Sequence, residues 1–347
     1  MKVLITGSSG NLGTALAIVC KNKGFKVVGV DKRASNETTH VGEINDEAFI
    51  NNCMKGVDIV FHTAGLHKPH VATHSIQDFI ETNIWGTCVL LESAKNNNVK
   101  SFIFSSTTSV YGSVLSPDQN LPSIWIEEST KIESKNIYGL TKLSAEELCR
   151  LYSLDKKMKC IVLRNSRFFY EDDDSKFVRD NYDQDNVKVN ELLYRRVDIE
   201  DAVQAHLNAA FEYKGDEYFD KFIISSTTPF QRDDCKILNL NPKSVMMRLH
   251  PNYLKIYKKK GWKLFPRFDR VYDNARARKY LNWEPKYTFA YALECLENGK
   301  PFKSALAERV GWIQYHENTF SDMPYPVYED NIISYASSIH KYETSPM

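Results

Sequence analysis

The chain has 347 residues, 42% of them hydrophobic and 26% charged, with a formal net charge of +1. That length suits a large α/β unit with an appended part, and the balanced charge argues against a nucleic-acid or polyanion binder. Seven cysteines, at 20, 53, 88, 149, 160, 235 and 295, are odd in number and lack a C-x-x-C pair, so reduced thiols are expected rather than disulfides or a metal site.

Met1 and Lys2 run straight into the apolar "VLIT" without a signal-peptide layout. No apolar run reaches the ~18 residues of a membrane span, so a cytoplasmic chain with no membrane partner is expected. "KVLIT" (2–6) reads as a buried strand and ends in "TGSSGNLG", with Gly7, Gly10 and Gly13 at G-x-x-G-x-x-G spacing before a helix over 11–23. Such a turn brings backbone N–H groups at a helix N-terminus against a pyrophosphate. The second strand, "KVVGV" (26–30), leads to Asp31, twenty-four residues after Gly7. A carboxylate there accepts the adenosine ribose hydroxyls and repels a 2′-phosphate, which favours NAD. Lys32 and Arg33 follow and leave NADP open.

Helical patterns at 46–55, 76–96 and 138–153 alternate with strands "DIVFHTA" (58–64), "SFIFSS" (101–106) and "KCIVLR" (159–164). This spacing predicts βαβ units and an α/β fold, a Rossmann-type doubly wound parallel sheet. After Arg164 the acidic, polar 170–186 reads as a loop, 199–213 as a helix and "KFIISS" (221–226) as a further strand. Prolines at 229, 242, 251, 266 and 285 mark a turn-rich remainder. The expected organisation is a dinucleotide-binding domain over 1–164, with 195–226 returning to it. Segments 165–194 and 227–314 form a smaller C-terminal substrate-binding lobe, and 315–347 is a tyrosine-rich tail.

Within the helix 138–153, Tyr138 and Lys142 are four residues apart and share a face. A tyrosine titrates near pH ~10 in isolation, too high for base catalysis without help. The pair alone does not separate a catalytic couple from an amphipathic helix.

Taken with "GEIND" (42–46), "HTAGLH" (62–67), "TNIWGT" (82–87), "FSSTTSVYG" (104–112), "YGLTK" (138–142), "LRNSRFF" (163–169), "RRVDIEDA" (195–202) and "LNWEP" (281–285), the sequence resembles the extended short-chain dehydrogenases/reductases, the group of NAD-dependent epimerases and dehydratases. The resemblance implies cofactor contacts from Gly7, Gly10, Asn11, Leu12, Gly13, Asp31, Lys32, Glu43, Ile44, Ala64, Gly65, Asn83 and Asn165. It sets Glu43 and Ile44 beside the adenine, Glu43 where the family more often has Asp, and makes Asn83 a backbone anchor. It makes Thr107, Tyr138 and Lys142 catalytic, with Lys142 also on the nicotinamide ribose and favouring tyrosinate. Tyr138 then exchanges a proton with a substrate hydroxyl.

The resemblance also narrows the chemistry. Thr108 and Ser109 stand where the 4,6-dehydratases carry an Asp–Glu pair, which disfavours dehydration. "HTAGLH" looks like the UDP-galactose 4-epimerases, with His67 at a usual lysine position. Arg167 replaces a common asparagine near the substrate phosphates, and 29 positions separate it from Arg196, about half the spacing of the 4-epimerases. A smaller or differently held substrate follows. His67, Thr108, Arg167, Arg196 (or Arg195) and Arg270 are the candidate substrate residues.

Blander readings are expected elsewhere. Glu171 to Asp174 read as a solvated loop. His67, His70 and His74 read as an active-site rim, because Pro69 spoils a helical metal face, and the basic 254–263 reads as an exposed face. The leading expectation is 4-epimerisation of a nucleotide sugar with NAD by a homodimer. The alternative is a net NAD(P)(H)-dependent dehydrogenase or reductase, and a non-catalytic dinucleotide sensor is disfavoured.

Overall fold

A computed structural model describes residues 1–118 and 120–314; the expected tail from 315 lies outside them. Its centre is a seven-stranded sheet built from β1 (Lys2–Thr6), β2 (Lys26–Asp31), β3 (His40–Val41), β4 (Ile59–His62), β5 (Ser101–Thr107), β7 (Lys159–Asn165) and β8 (Phe219–Ile224). The spatial order is β3-β2-β1-β4-β5-β7-β8, and every pairing is parallel. The doubly wound expectation is met. The order turns back on itself between β1 and β4, and a crevice opens there at the carboxyl ends of the strands.

Side chains along each strand alternate between two apolar layers, as a pleated strand buried on both faces requires. Val3 and Ile5 pack with α1 (Asn11–Asn22) and α8 (Ile199–Phe211). Leu4, Val28 and Val30 pack on the other face with α2 (Glu47–Met54), α4 (Gly86–Asn96) and α5 (Ile137–Ser153). A separate apolar cluster gathers Val187, Leu192, Phe230, Tyr253, Phe268, Phe289 and Phe302. Beside it, β6 (Ile124–Ile126) pairs in parallel with β9 (Arg270–Tyr272), a two-stranded sheet too short to leave a sequence pattern.

Two expectations change. The single helix over 76–96 is three pieces: α3 (Ile76–Phe79), a π-helical turn (Ile80–Trp85) and α4. The wider turn carries Asn83 inward, where its side chain bonds outside the helix. The loop expected over 170–186 contains α6 (Lys176–Asn181) and the start of α7 (Gln184–Leu192). Asp183 caps α7 by accepting from the Asp185 and Asn186 amides. The polar residues that masked α7 are buried against specific partners: Asn190 donates to the Lys263 carbonyl at 2.8 Å, and Asn186 accepts from the Lys263 amide at 2.9 Å. The basic helix Tyr253–Lys260 buries Tyr253, Ile256 and Tyr257 and exposes its lysines, as expected.

Candidate active site

A cleft of about 710 Å³ runs along the carboxyl ends of the central strands. One end is built by the turn between β1 and α1. Gly7 has φ +71°, and a Cβ there would lie 2.7 Å from the Ala64 amide nitrogen; at Gly13 it would lie 2.0 Å from the Gly7 carbonyl oxygen. Only glycine fits either place. The first turn of α1 carries no side-chain cap at Gly10, so its N–H groups are left for an anionic guest. These two features fit a dinucleotide pyrophosphate.

Asp31 sits at the end of β2 with one carboxylate oxygen accepting from the Ser9 amide at 3.0 Å and the other from the Arg33 amide at 2.9 Å. Gly7, Gly10, Asn11, Leu12, Gly13, Asp31, Lys32, Glu43, Ile44, Ala64, Gly65 and Asn165 all line the cleft. Asn83 meets the expectation of a backbone anchor but not that of a cofactor contact. Asn83 is absent from the lining; it is buried behind it, accepting from the Leu66 amide at 2.8 Å and donating to the Leu66 carbonyl and to Thr141. It ties the loop after β4 to α5 and shapes the wall rather than forming it. The Asn11 side chain lines the cleft but is bonded to the backbone of Ile313. Arg33, which lines the same end, donates to the Gln314 carbonyl at 2.9 Å.

At the centre stand Thr107 at the end of β5 and Tyr138 and Lys142 on α5. Asn136 caps α5 by accepting from the Gly139 amide at 2.9 Å, which fixes where the helix starts and so where Tyr138 points. The Tyr138 phenol stands beside the Thr107 hydroxyl, which accepts from the Ser109 amide at 3.1 Å. Burial pushes the phenol up to about 12, with the Thr107 hydroxyl pulling the other way. The expected lowering by Lys142 is not a property of the protein alone. Lys142 is itself brought down to about 8 by burial, with its ammonium 4.1 Å above the Phe104 ring.

Sequence reasoning missed what holds this centre. One turn beyond Lys142, Glu146 is buried and receives Arg164 of β7 through both carboxylate oxygens, at 2.7–3.2 Å. Ser106 donates to the same carboxylate at 2.5 Å, and Arg164 donates to the Tyr111 hydroxyl at 3.0 Å. The network clamps α5 to β5 and β7 directly beneath Thr107 and Tyr138. An arginine inside the apolar run "KCIVLR" is the signal that marks a buried partner.

The other end of the cleft is rich in cations, with the carboxylates of Glu171 and Asp174 among them. Arg167, Arg270 and Arg195 line it together with Lys68 and Lys135, which sequence reasoning had not singled out. Burial, with Lys68 and Arg270 nearby, lowers Lys135. Between the two expected arginines the structure chooses Arg195. Arg196 is buried, paired with Glu191 at 2.7 Å and donating to the Phe169 carbonyl, and does not line the cleft. Glu191 is fully buried; burial opposes its charge, but Arg196, Arg167 and Arg195 hold it down to about 2. The Nε groups of Arg195 and Arg270 are buried without a hydrogen-bond partner among the described residues, which suits an anionic guest. The acidic run is not a solvated loop: Asp173 is buried and pairs with Arg167 at 2.8 Å. Thr108, His67, His70 and His74 also line the cleft, with His67 stacked on Phe169 at 5.4 Å.

A family model described as the NAD dependent epimerase/dehydratase family matches residues 3–217. The chain belongs to that family. It is 33% identical over 191 residues to a dTDP-D-glucose 4,6-dehydratase of Dictyostelium discoideum, covering 48% of this chain and 44% of that one. It is 31% identical over 183 residues to a UDP-glucose 4-epimerase of Schizosaccharomyces pombe, covering 47% and 50%. The chain thus spans about half the length of the curated relatives it matches. Among solved structures, the UDP-N-acetylglucosamine 4-epimerase of Bacillus cereus superposes with a TM-score of 0.59 at 20% identity, covering 86% of this chain and 98% of the other. A short-chain dehydrogenase/reductase superfamily protein of Agrobacterium tumefaciens with bound NAD gives 0.61 at 22%, covering 89% and 99%. These structural likenesses carry the fold. The cofactor of the family is NAD, and the glycine turn and Asp31 fit it.

Asp31 sets the first expected result: NAD binds at least about tenfold more tightly than NADP, because the carboxylate would face the extra phosphate. The Arg33 guanidinium already has a partner in Gln314. Isothermal titration with both dinucleotides checks this, and equal or tighter NADP binding would overturn it.

Proposed function

We infer that the protein is an NAD-dependent epimerase of a nucleotide sugar, working by transient oxidation at C4 and return of hydride to the other face. The observation that carries this reading is the meeting of Thr107, Tyr138 and Lys142 at the centre of one cleft, with hydroxyls, not carboxylates, at Thr108 and Ser109. Elimination of water needs a further acid and base there, and none is supplied. NAD, when bound, supplies the acceptor and donor of hydride.

Tyr138 takes the proton of the substrate hydroxyl and returns it after the ketone has turned over in the site. Thr107 hydrogen-bonds the same oxygen and holds it against Tyr138. Lys142 binds the nicotinamide ribose, and its ammonium and the oxidised cofactor's charge bring Tyr138 down from its elevated value. Arg167, Arg195, Arg270 and His67 take the substrate's diphosphate and sugar, and segments 165–194 and 227–314 form the lobe that carries Arg167 and Arg270. Denaturing the purified protein and analysing the released small molecules tests the reading. Stoichiometric NAD supports it, and a cofactor-free protein that consumes added NAD or NADP would support the dehydrogenase instead.

The same reading includes a homodimer in the cytoplasm, where seven free cysteines stay reduced. Ile76, Ile80, Trp85, Leu140, Leu151 and Leu154 are exposed along α3–α4 and α5, a pair of helices the family uses for pairing. Sedimentation is expected to give twice the 40.0 kDa chain mass, and Leu151→Glu is expected to give the monomer. A monomeric unaltered protein at micromolar concentration would refute this. Among the described residues no helix is long and apolar enough to cross a membrane.

A further inference from the structure

The last described residues stay on the cleft. Gly311, at φ +64° and ψ −152°, turns the chain out of the helix Ala305–Val310, which packs beside α1. Trp312, Ile313 and Gln314 are then fixed at three separate places. Trp312 Nε1 donates to Glu171 Oε2 at 3.2 Å. The Ile313 amide donates to Asn11 Oδ1 at 3.2 Å, and its carbonyl accepts from Asn11 Nδ2 at 3.3 Å. Arg33 Nη1 donates to the Gln314 carbonyl at 2.9 Å.

Those anchors belong to the start of α1, the residue pair after β2, and the loop after β7. Asn11 is where a pyrophosphate meets the helix N-terminus, and Arg33 lies two residues past Asp31. A segment bonded to both crosses the mouth of the dinucleotide half, and Ile313 forms part of its lining. The fastening is polar and wet: Trp312 is 41% exposed and Gln314 is exposed. Hydrogen bonds that water can replace open more readily than a packed core.

We propose that residues 312–314 are a strap that gates dinucleotide exchange, opening for NAD to enter or leave and closing to retain it between turnovers. The proposal rests on the reading that this cleft holds NAD. Retention suits an enzyme that regenerates its cofactor in every cycle, because release is then never needed for turnover.

Two variants loosen different anchors. Ile313→Pro removes the N–H that donates to Asn11, and Trp312→Ala removes the bond to Glu171; thermal melting of each reports whether the fold is kept. NADH binding, and its displacement by excess NAD, are followed by stopped-flow fluorescence on the full chain. Entry and release are both expected to accelerate about tenfold in each variant, as loss of one or two modest hydrogen bonds implies, while Kd moves less than about threefold. Unchanged rates in variants that still bind NADH would overturn the strap and leave the functional reading standing. Faster release with an equal rise in Kd would also overturn it, since the segment would then be a direct ligand contact and not a gate. An unaltered protein that binds no NADH would overturn both.

Discussion

Tyr138→Phe is expected to lower turnover by about 10²–10⁴ while leaving NAD affinity within about twofold. The substitution removes one hydroxyl beside Thr107 and leaves the ring, the α5 cap at Asn136 and the glycine turn untouched. The loss therefore falls on the proton transfer alone. Lys142→Ala is different, because on the proposed reading its ammonium would serve both the ribose and the tyrosine; NAD affinity and kcat are both expected to fall. Measuring kcat and NAD binding for the two variants on the same substrate checks the division of labour. Near-native turnover in Tyr138→Phe would show that the tyrosine belongs to the helix and not to the reaction.

Glu146→Ala is expected to destabilise the fold by about 3–5 kcal/mol, because it leaves the Arg164 guanidinium buried without its carboxylate. Arg164 and Glu146 are 0% and 2% exposed, so neither has water as a substitute partner. On the usual scaling for a large chain, calorimetry is expected to show a fall of about 4–7 °C in the unfolding midpoint. The paired change Glu146→Leu with Arg164→Met removes both charges and is expected to recover most of that loss, which separates an orphaned charge from a simple cavity. A single-variant loss below about 1 kcal/mol would contradict the clamp.

The strand–helix alternation, the glycine turn and Asp31 were legible because each is local, whereas Thr107, Tyr138 and Lys142 were picked out through the resemblance that their motifs carry. A turn, a strand end and one helical turn fix them within a few residues. What was not legible is tertiary. Helix α7 was hidden because Asn186, Asn190 and Glu191 look solvated in sequence, yet find partners more than seventy positions away at Lys263 or in the arginines beside them. Arg195 and Arg196 are adjacent, and only the packing around Glu191 decides which reaches the cleft. Asn83 holds the backbone of Leu66 as its motif implies, and what the motif does not reveal is that the π-helical turn buries it behind the cleft wall, away from the lining. The bonds from Asn11 and Arg33 to residues 313 and 314 span about three hundred positions and leave no trace in either segment.

The central claim is that hydride leaves and returns to the same substrate molecule within one retained cofactor. It is tested most directly with a nucleotide hexose deuterated at C4, incubated with the enzyme and excess unlabelled NAD. The account predicts that the C4 epimer forms with the deuterium still on C4 and none in the free dinucleotide pool. Deuterium appearing in free NADH, with a keto-sugar accumulating in proportion, would contradict it and make the protein a net dehydrogenase.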